Sequence, residues 1–387
     1  MQFANRIEKL NSAIFTEMDL LKLQAESRGV DIINLSVGSP DLPPAEHIIR
    51  ALRDAVSDKS NYGYTLTEGL TDFKKAVVKW YHKRFKVDLD WDKEVLTLMG
   101  SQDGIAHIFW AFLNEKDIAL VPDPGYPIYH TGIYLTGGEP YFMPLTHEND
   151  FLPDFDSIPP EVAQKAKIMV LNYPNNPVAA VATHDFFARV VAFAKKYDVV
   201  VCHDVAYSEL AFDGFKPMSF LETPGAKDVG VEFHSVSKTY NMAGCRLAFV
   251  VGNAEIIDAL RKIKSNIDYG VFKPVQLAGI AALLGPQEWI KENAAAYQRR
   301  RDVLVDGLKE VGWDIDKPKA SMFLWASLPF GYTNDRIFAV DLLEKTGVVV
   351  VPGTAFGQLG KNYVRIALVA DEARMEEAVS RIKKAFS

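Results

Sequence analysis

What most constrains the fold of this 387-residue chain is an alternation, through its middle, of short apolar runs and amphipathic stretches. Runs rich in Val, Ile and Leu occur at Glu94–Met99, Asp117–Val121, Lys167–Leu171, Asp198–Cys202, Gly230–His234 and Leu247–Val251. Each reads as a buried strand. Between them, Ile105, Ile108, Phe109 and Phe112 repeat at helical spacing, and Phe186, Val190, Phe193 and Ala194 form a similar stripe. Strand–helix–strand order of this length predicts an α/β fold: a three-layer α/β/α large domain around a mostly parallel sheet. After about Pro286 the pattern changes. A long helical stretch runs through Arg299-Arg300-Arg301 to Leu308, followed by strand-like runs at Phe323–Ala326, Val348–Val351 and Val364–Leu368 and a terminal helix. That suits a smaller α+β domain. The expected division is 1–45 as an N-terminal segment packing with the small domain, 46–285 as the large domain and 286–387 as the small one.

Charge and cysteine usage narrow the function. A net charge of −7 argues against nucleic-acid or anionic-membrane partners, which need a basic field. Cys202 and Cys245 are the two cysteines; neither has metal-ligand spacing, and a disulfide framework needs more of them. No apolar leader follows Met1, and stretches such as Ile105–Leu113 fall well short of the roughly 20 residues that span a bilayer. The expectation is a cytoplasmic protein without membrane or metal. No G-x-G-x-x-G after a strand, P-loop or G-x-S-x-G elbow is found.

In parallel sheets ligands bind beyond the carboxyl ends of the strands, so the residues there matter most. They are Gly100-Ser101-Gln102, Pro122 to Tyr126, Asn172 to Pro177, His203-Asp204 and Ser235-Val236-Ser237-Lys238. A lysine amine whose pKa is depressed forms Schiff bases. Ser235, Ser237, Arg246 and the Gly100-Ser101-Gln102 turn at a helix start offer donors and charge for a phosphate. Asp204 can hold a protonated ring nitrogen, Tyr126 can stack on a ring, and Asn176 and Tyr207 can hydrogen-bond a phenolic oxygen. Singly, each residue has a plainer explanation as a solvated charge, helix cap or turn residue. Their joint occurrence along one sheet edge does not.

These residues resemble the class I/II aminotransferases of pyridoxal-phosphate fold type I, in the branch of alanine-, aromatic- and LL-diaminopimelate-type enzymes. The resemblance runs from Asn34-Leu35-Ser36-Val37-Gly38-Ser39-Pro40-Asp41 to Val364-Arg365-Ile366-Ala367, and its most specific part is Ser235-Val236-Ser237-Lys238 with Gly244-Cys245-Arg246. It implies pyridoxal 5′-phosphate as cofactor and ping-pong transfer of an amino group from an L-amino acid to a 2-oxo acid, through an aldimine on Lys238. It further implies that Ser235, Arg246, Ser101 and Gln102 grip the phosphate, with Ser237 in the same signature. Tyr126 would stack on the ring, Asp204 partner the ring nitrogen, and Asn176 and Tyr207 partner the ring oxygen. Arg365 would bind the substrate α-carboxylate beside Asn176 and the Gly38 backbone. Tyr64 would reach the phosphate of a neighbouring subunit in a homodimer.

Two departures from the family pattern stand out. Val178-Ala179 replaces the usual Thr-Gly after Asn176-Pro177, so a turn that wants positive φ lacks its glycine. Cys245 stands where relatives often carry Trp, and reads as a small packed residue rather than a nucleophile. In diaminopimelate enzymes an acidic residue follows the subunit-crossing tyrosine by three places; here that place is Thr67, with Glu68 one further on. A C–S β-lyase using the same groups, or a regulatory domain keeping the fold, are the alternatives. Arg299-Arg300-Arg301 reads as a solvated helix face and His203 as packing.

Overall fold

The structure is a computed structural model that describes residues 3–10, 13–66 and 68–386. Among the described residues, twelve strands form three sheets. In chain order they are β1 (Ile33–Asn34), β2 (Val95–Leu98), β3 (Ile118–Asp123), β4 (Glu139–Pro144), β5 (Ala166–Asn172), β6 (Val200–Asp204), β7 (Gly230–Ser235), β8 (Ala248–Gly252), β9 (Phe323–Ser327), β10 (Val348–Val349), β11 (Val351–Pro352) and β12 (Tyr363–Ala367). The large sheet has the order β2-β8-β7-β6-β5-β3-β4. It is parallel from β4 to β7, and β8 runs antiparallel to both β7 and β2.

Successive residues of a strand point to opposite faces, and here both faces are covered. Met169 and Leu171 pack with Phe73, Trp80, Phe187 and Ala278 from one helical layer. Ile168 and Val170 pack with Ile105, Phe109, Ile133 and Ile257 from the other. This is the three-layer α/β/α arrangement that continuous apolar strands predict. A third core joins Met18, Ile33 and Leu35 to Leu304, Leu324, Leu342, Val364 and Ile382. Residues from both ends of the chain therefore share it. β1 pairs in parallel with β10, and β11, β12 and β9 form an antiparallel sheet. Among the described residues, no helix is long and apolar enough to cross a membrane.

Several sequence expectations are corrected. β4 is not legible as a strand because Glu-Pro-Tyr-Phe-Met-Pro is no apolar run; it is one of the sheet's two outer strands, mostly unburied, where proline is tolerated. Asp198 ends the helix His184–Tyr197 with φ 56 instead of opening a strand. The Val348–Val351 run divides between two sheets. The arginine run is no uniform solvated face, since Arg300 and Arg301 are buried. Arg300 grips Asp41 with both terminal nitrogens at 2.7 Å, and Arg301 holds Asp213, Asp302 and the Pro318 carbonyl. Arg299 alone of the three stays outside, paired with Glu372.

Candidate active site

The carboxyl ends of β3, β5, β6 and β7 open into a cavity of about 310 Å³. Lys238 lies in the short helical turn Val236–Thr239 that follows β7, capped by Ser235, whose hydroxyl accepts from the Ser237 amide at 3.1 Å. The lysine Nζ donates to the Gly38 carbonyl at 2.5 Å, across the boundary to the N-terminal segment. Burial first, then the positive charges of Arg365 and Arg246, lower its pKa to about 8. An amine so placed is readily deprotonated, as a nucleophile or base requires.

Asp204 is the last residue of β6 and is buried. Its Oδ2 accepts from the Tyr129 hydroxyl at 2.9 Å, whereas Oδ1 has no hydrogen-bond partner. Burial pushes its carboxyl up to about 6, against the lowering pull of the Tyr129 bond. Asn172 ties this corner together: its Nδ2 donates to the Asp204 carbonyl and its Oδ1 accepts from the Asn176 amide, both at 2.7 Å. The Asn176 side chain approaches the Tyr207 hydroxyl at 3.5 Å and accepts from Arg365 at 2.9 Å.

Arg365 comes from β12 and also donates to the Ser36 carbonyl at 2.7 Å. Its guanidinium lies over Phe323 and Phe356, 4.2 and 4.6 Å from the ring centroids, and burial lowers its pKa to about 10. Its Nε is buried without a partner. On the far side, Ser101 opens the helix Ser101–Phe112, whose free amides favour an anion. Gly100 precedes it with φ 95, and a Cβ there would stand 2.3 Å from an Arg246 nitrogen, so glycine is what lets the arginine close on that helix end. Tyr126 leans over from the loop after β3, its hydroxyl donating to Gln102 at 2.8 Å.

Ser101, Gln102, Tyr126, Asn176, Asp204, Tyr207, Ser235, Ser237, Lys238, Arg246, Arg365 and Gly38 thus all line one cavity. Tyr64 does not: it is 86% exposed, its ring 5.1 Å from that of Tyr269. Thr67 lies outside the described residues, and Glu68 pairs with Lys74 and Arg261. Sequence reasoning missed Tyr129 and the structural part of Asn172, along with Phe15, Met18 and Asp19, which line the same cavity from the helix Ala13–Ser27. Asn172 had a visible signal in its strand-end position; the N-terminal helix had none. Cys245 is half-buried, and burial raises its thiol pKa, which suits packing rather than nucleophilic attack.

A model of the family described as aminotransferase class I and II matches residues 30–382. The chain belongs to that family. The class I and II aminotransferases use pyridoxal 5′-phosphate, and this protein is a transaminase that depends on it. The cavity fits that cofactor: the unpartnered Asp204 Oδ1 suits a ring N–H, and the helix end closed by Arg246 suits a phosphate. The chain is similar to the LL-diaminopimelate aminotransferases of Moorella thermoacetica and Syntrophobacter fumaroxidans, 51% identical to each. The matches cover 99% and 98% of this chain and 98% of each relative. Among solved structures, substrate-bound BacF from Bacillus subtilis superposes with TM-score 0.95 at 40% identity, covering 99% of this chain and 98% of that one. A probable N-succinyldiaminopimelate aminotransferase from Thermus thermophilus does so with TM-score 0.91 at 38% identity, covering 96% and 100%. These neighbours share the fold-type-I α/β architecture.

Proposed function

We propose that this aminotransferase takes LL-diaminopimelate as amino donor and a 2-oxo acid as acceptor. The reading is supported by the names of relatives 51% identical along nearly the whole chain. The observation that carries the chemistry is a pair of buried, unpartnered atoms, Asp204 Oδ1 and Arg365 Nε, in one cavity with the Lys238 amine. Pyridoxal phosphate, when bound, supplies the electron sink for the pair left at the substrate Cα once its proton departs. The chain does the rest. Lys238 is placed to take that proton from Cα and would deliver it to the cofactor's C4′ carbon. Arg365 pairs with the α-carboxylate beside Asn176 and Gly38, as its planar fork allows. Asp204 holds the ring nitrogen, Asn176 and Tyr207 the ring oxygen, and Tyr126 the ring face. Ser101, Gln102, Ser235, Ser237 and Arg246 hold the phosphate.

The same proposal includes a homodimer, with Tyr64 serving the neighbouring subunit's phosphate. Tyr64, Leu66, Ile267 and Tyr269 are more than half exposed, and a second copy would cover such large apolar side chains. A cytoplasmic location and the division into 1–45, 46–285 and 286–387 belong to it too, the latter supported by the core shared between Met18, Leu35, Leu304 and Val364. The test is a half-reaction screen, mixing the holoenzyme with single amino acids and following conversion of the cofactor from its aldehyde to its amine form. LL-diaminopimelate should convert it, and a panel of 2-oxo acids should restore it. Conversion by alanine or aromatic amino acids but not by LL-diaminopimelate would move the substrate elsewhere. Release of pyruvate from cystathionine without any acceptor would favour the lyase.

A further inference from the structure

We infer that Tyr129 is a positioning residue, holding one oxygen of Asp204 so that the other is reserved for the cofactor's ring nitrogen. The inference rests on the assignment of Asp204 to that nitrogen. A carboxylate turns easily about its terminal torsion, which is broad and nearly two-fold. Left alone, Asp204 would present either oxygen, or both poorly. The Tyr129 hydroxyl takes Oδ2 at 2.9 Å and leaves Oδ1 open.

Tyr129 is itself fixed. It is the second residue of the helix Ile128–Thr136, fully buried, and its ring packs in the core that holds Ile105, Phe109 and Ile133. The same ring meets that of Tyr126 edge-on, at 6.0 Å between centroids and 77° between planes. Tyr126 is tied to Gln102 at its other end. One side chain therefore braces both the acceptor for the ring nitrogen and the aromatic face expected to cover the ring.

A merely structural role would make Tyr129→Phe act equally on any cofactor-shaped ligand. A positioning role makes its effect depend on the ring nitrogen. The experiment titrates apoprotein with pyridoxal phosphate and with its carbocyclic analogue, in which that nitrogen is replaced by carbon, following tryptophan fluorescence. Wild type should prefer the nitrogen-containing ligand. Tyr129→Phe should cut that preference about tenfold, by weakening pyridoxal phosphate while leaving the analogue unchanged. With ring-labelled cofactor, the nitrogen-15 resonance should move towards the unprotonated position. In an Asp204→Ala background the substitution should add nothing, because the two residues then share one interaction. An unchanged preference, or an equal loss for both ligands, would overturn the inference. Tyr129→Met removes the same donor and serves the same comparison should Tyr129→Phe not fold. A wild type that shows no preference would instead sink the assignment of Asp204.

Discussion

Two buried acids lie within one residue pair of each other on β6 and β7, and they are treated in opposite ways. Glu232 pairs across the sheet with His203, and Asp204 is the next residue on β6. Neighbouring strand residues face opposite sides, so the two acids look into different layers. Glu232 is saturated: it accepts from Tyr81 (2.6 Å), His203 Nδ1 (2.8 Å), the Phe220 amide (2.6 Å) and, very closely, the Ser219 hydroxyl. His203 in turn accepts from the Tyr173 amide through its other nitrogen. Burial alone would raise the Glu232 carboxyl, but its donors, led by His203, hold it well below the usual range. Asp204 has one oxygen tied and one open, and burial pushes it up to about 6. A buried acid with every lone pair filled is structural; one left partly unfilled is a binding group waiting for its donor.

The largest effect falls on the open side. Lys238→Ala should lower transamination by about 10⁴-fold or more, seen in steady-state rates and in loss of the cofactor's visible absorbance. Lys238→Met should at the same time stabilise the apoprotein. The lysine pKa falls to about 8 in the folded state from 10.5, so the unfolded chain binds more protons between those values. Wild-type stability is therefore penalised below pH 8 and recovers as pH rises towards 10.5. Denaturant titrations should show the methionine variant ahead by on the order of 3 kcal/mol near pH 7, with the gap closing by pH 10.5. A constant gap would mean that the lysine is not desolvated as its surroundings demand.

The closed side should give the converse. Glu232→Ala strands Tyr81, Ser219, His203 and the Phe220 amide together, and should cost about 3–5 kcal/mol in chemical denaturation. The folded fraction should keep its kcat within a few-fold. Asp204→Asn reverses the pattern, with little change in stability but a kcat roughly 100-fold lower, measured at saturating cofactor. If Glu232→Ala proved kinetic and Asp204→Asn structural, the division between the two acids would be wrong.

What the sequence makes legible follows from the same physics. β5 and β6 could be read because both their faces are apolar, and the strand ends carry their polar residues in plain order. β4 could not, since an outer strand with two prolines obeys neither rule. Lys238, Asp204 and Arg365 are visible as residue types at strand ends. Tyr129 is not, because its role depends on which way a helix turns after a loop. The burial of Arg300 and Arg301 was hidden for a related reason: their partners Asp41 and Asp213 lie far away along the chain, and only folding brings them within reach.

The smallest prediction concerns the turn that carries Asn176 into the open cavity. Ala179 takes φ 57 there, a conformation glycine adopts freely and alanine does not. The turn is held from both sides: Val178 donates to the Asn175 side chain at 3.0 Å, and the Asn175 amide donates to the Ala180 carbonyl at 2.9 Å. The surroundings thus impose a backbone that costs an L-residue roughly 1–2 kcal/mol. Ala179→Gly should relieve it. Part of the gain returns as extra freedom in the unfolded chain, roughly 0.4–1 kcal/mol, and the buried methyl is lost as well. A net stabilisation of about 0.5 kcal/mol is expected in denaturant melts, with kcat unchanged because Asn176 keeps its place through Asn172 and Arg365. A fall in kcat with no gain in stability would mean that the strained turn sets the position of Asn176, and that the open side of the molecule carries its strain for a functional reason.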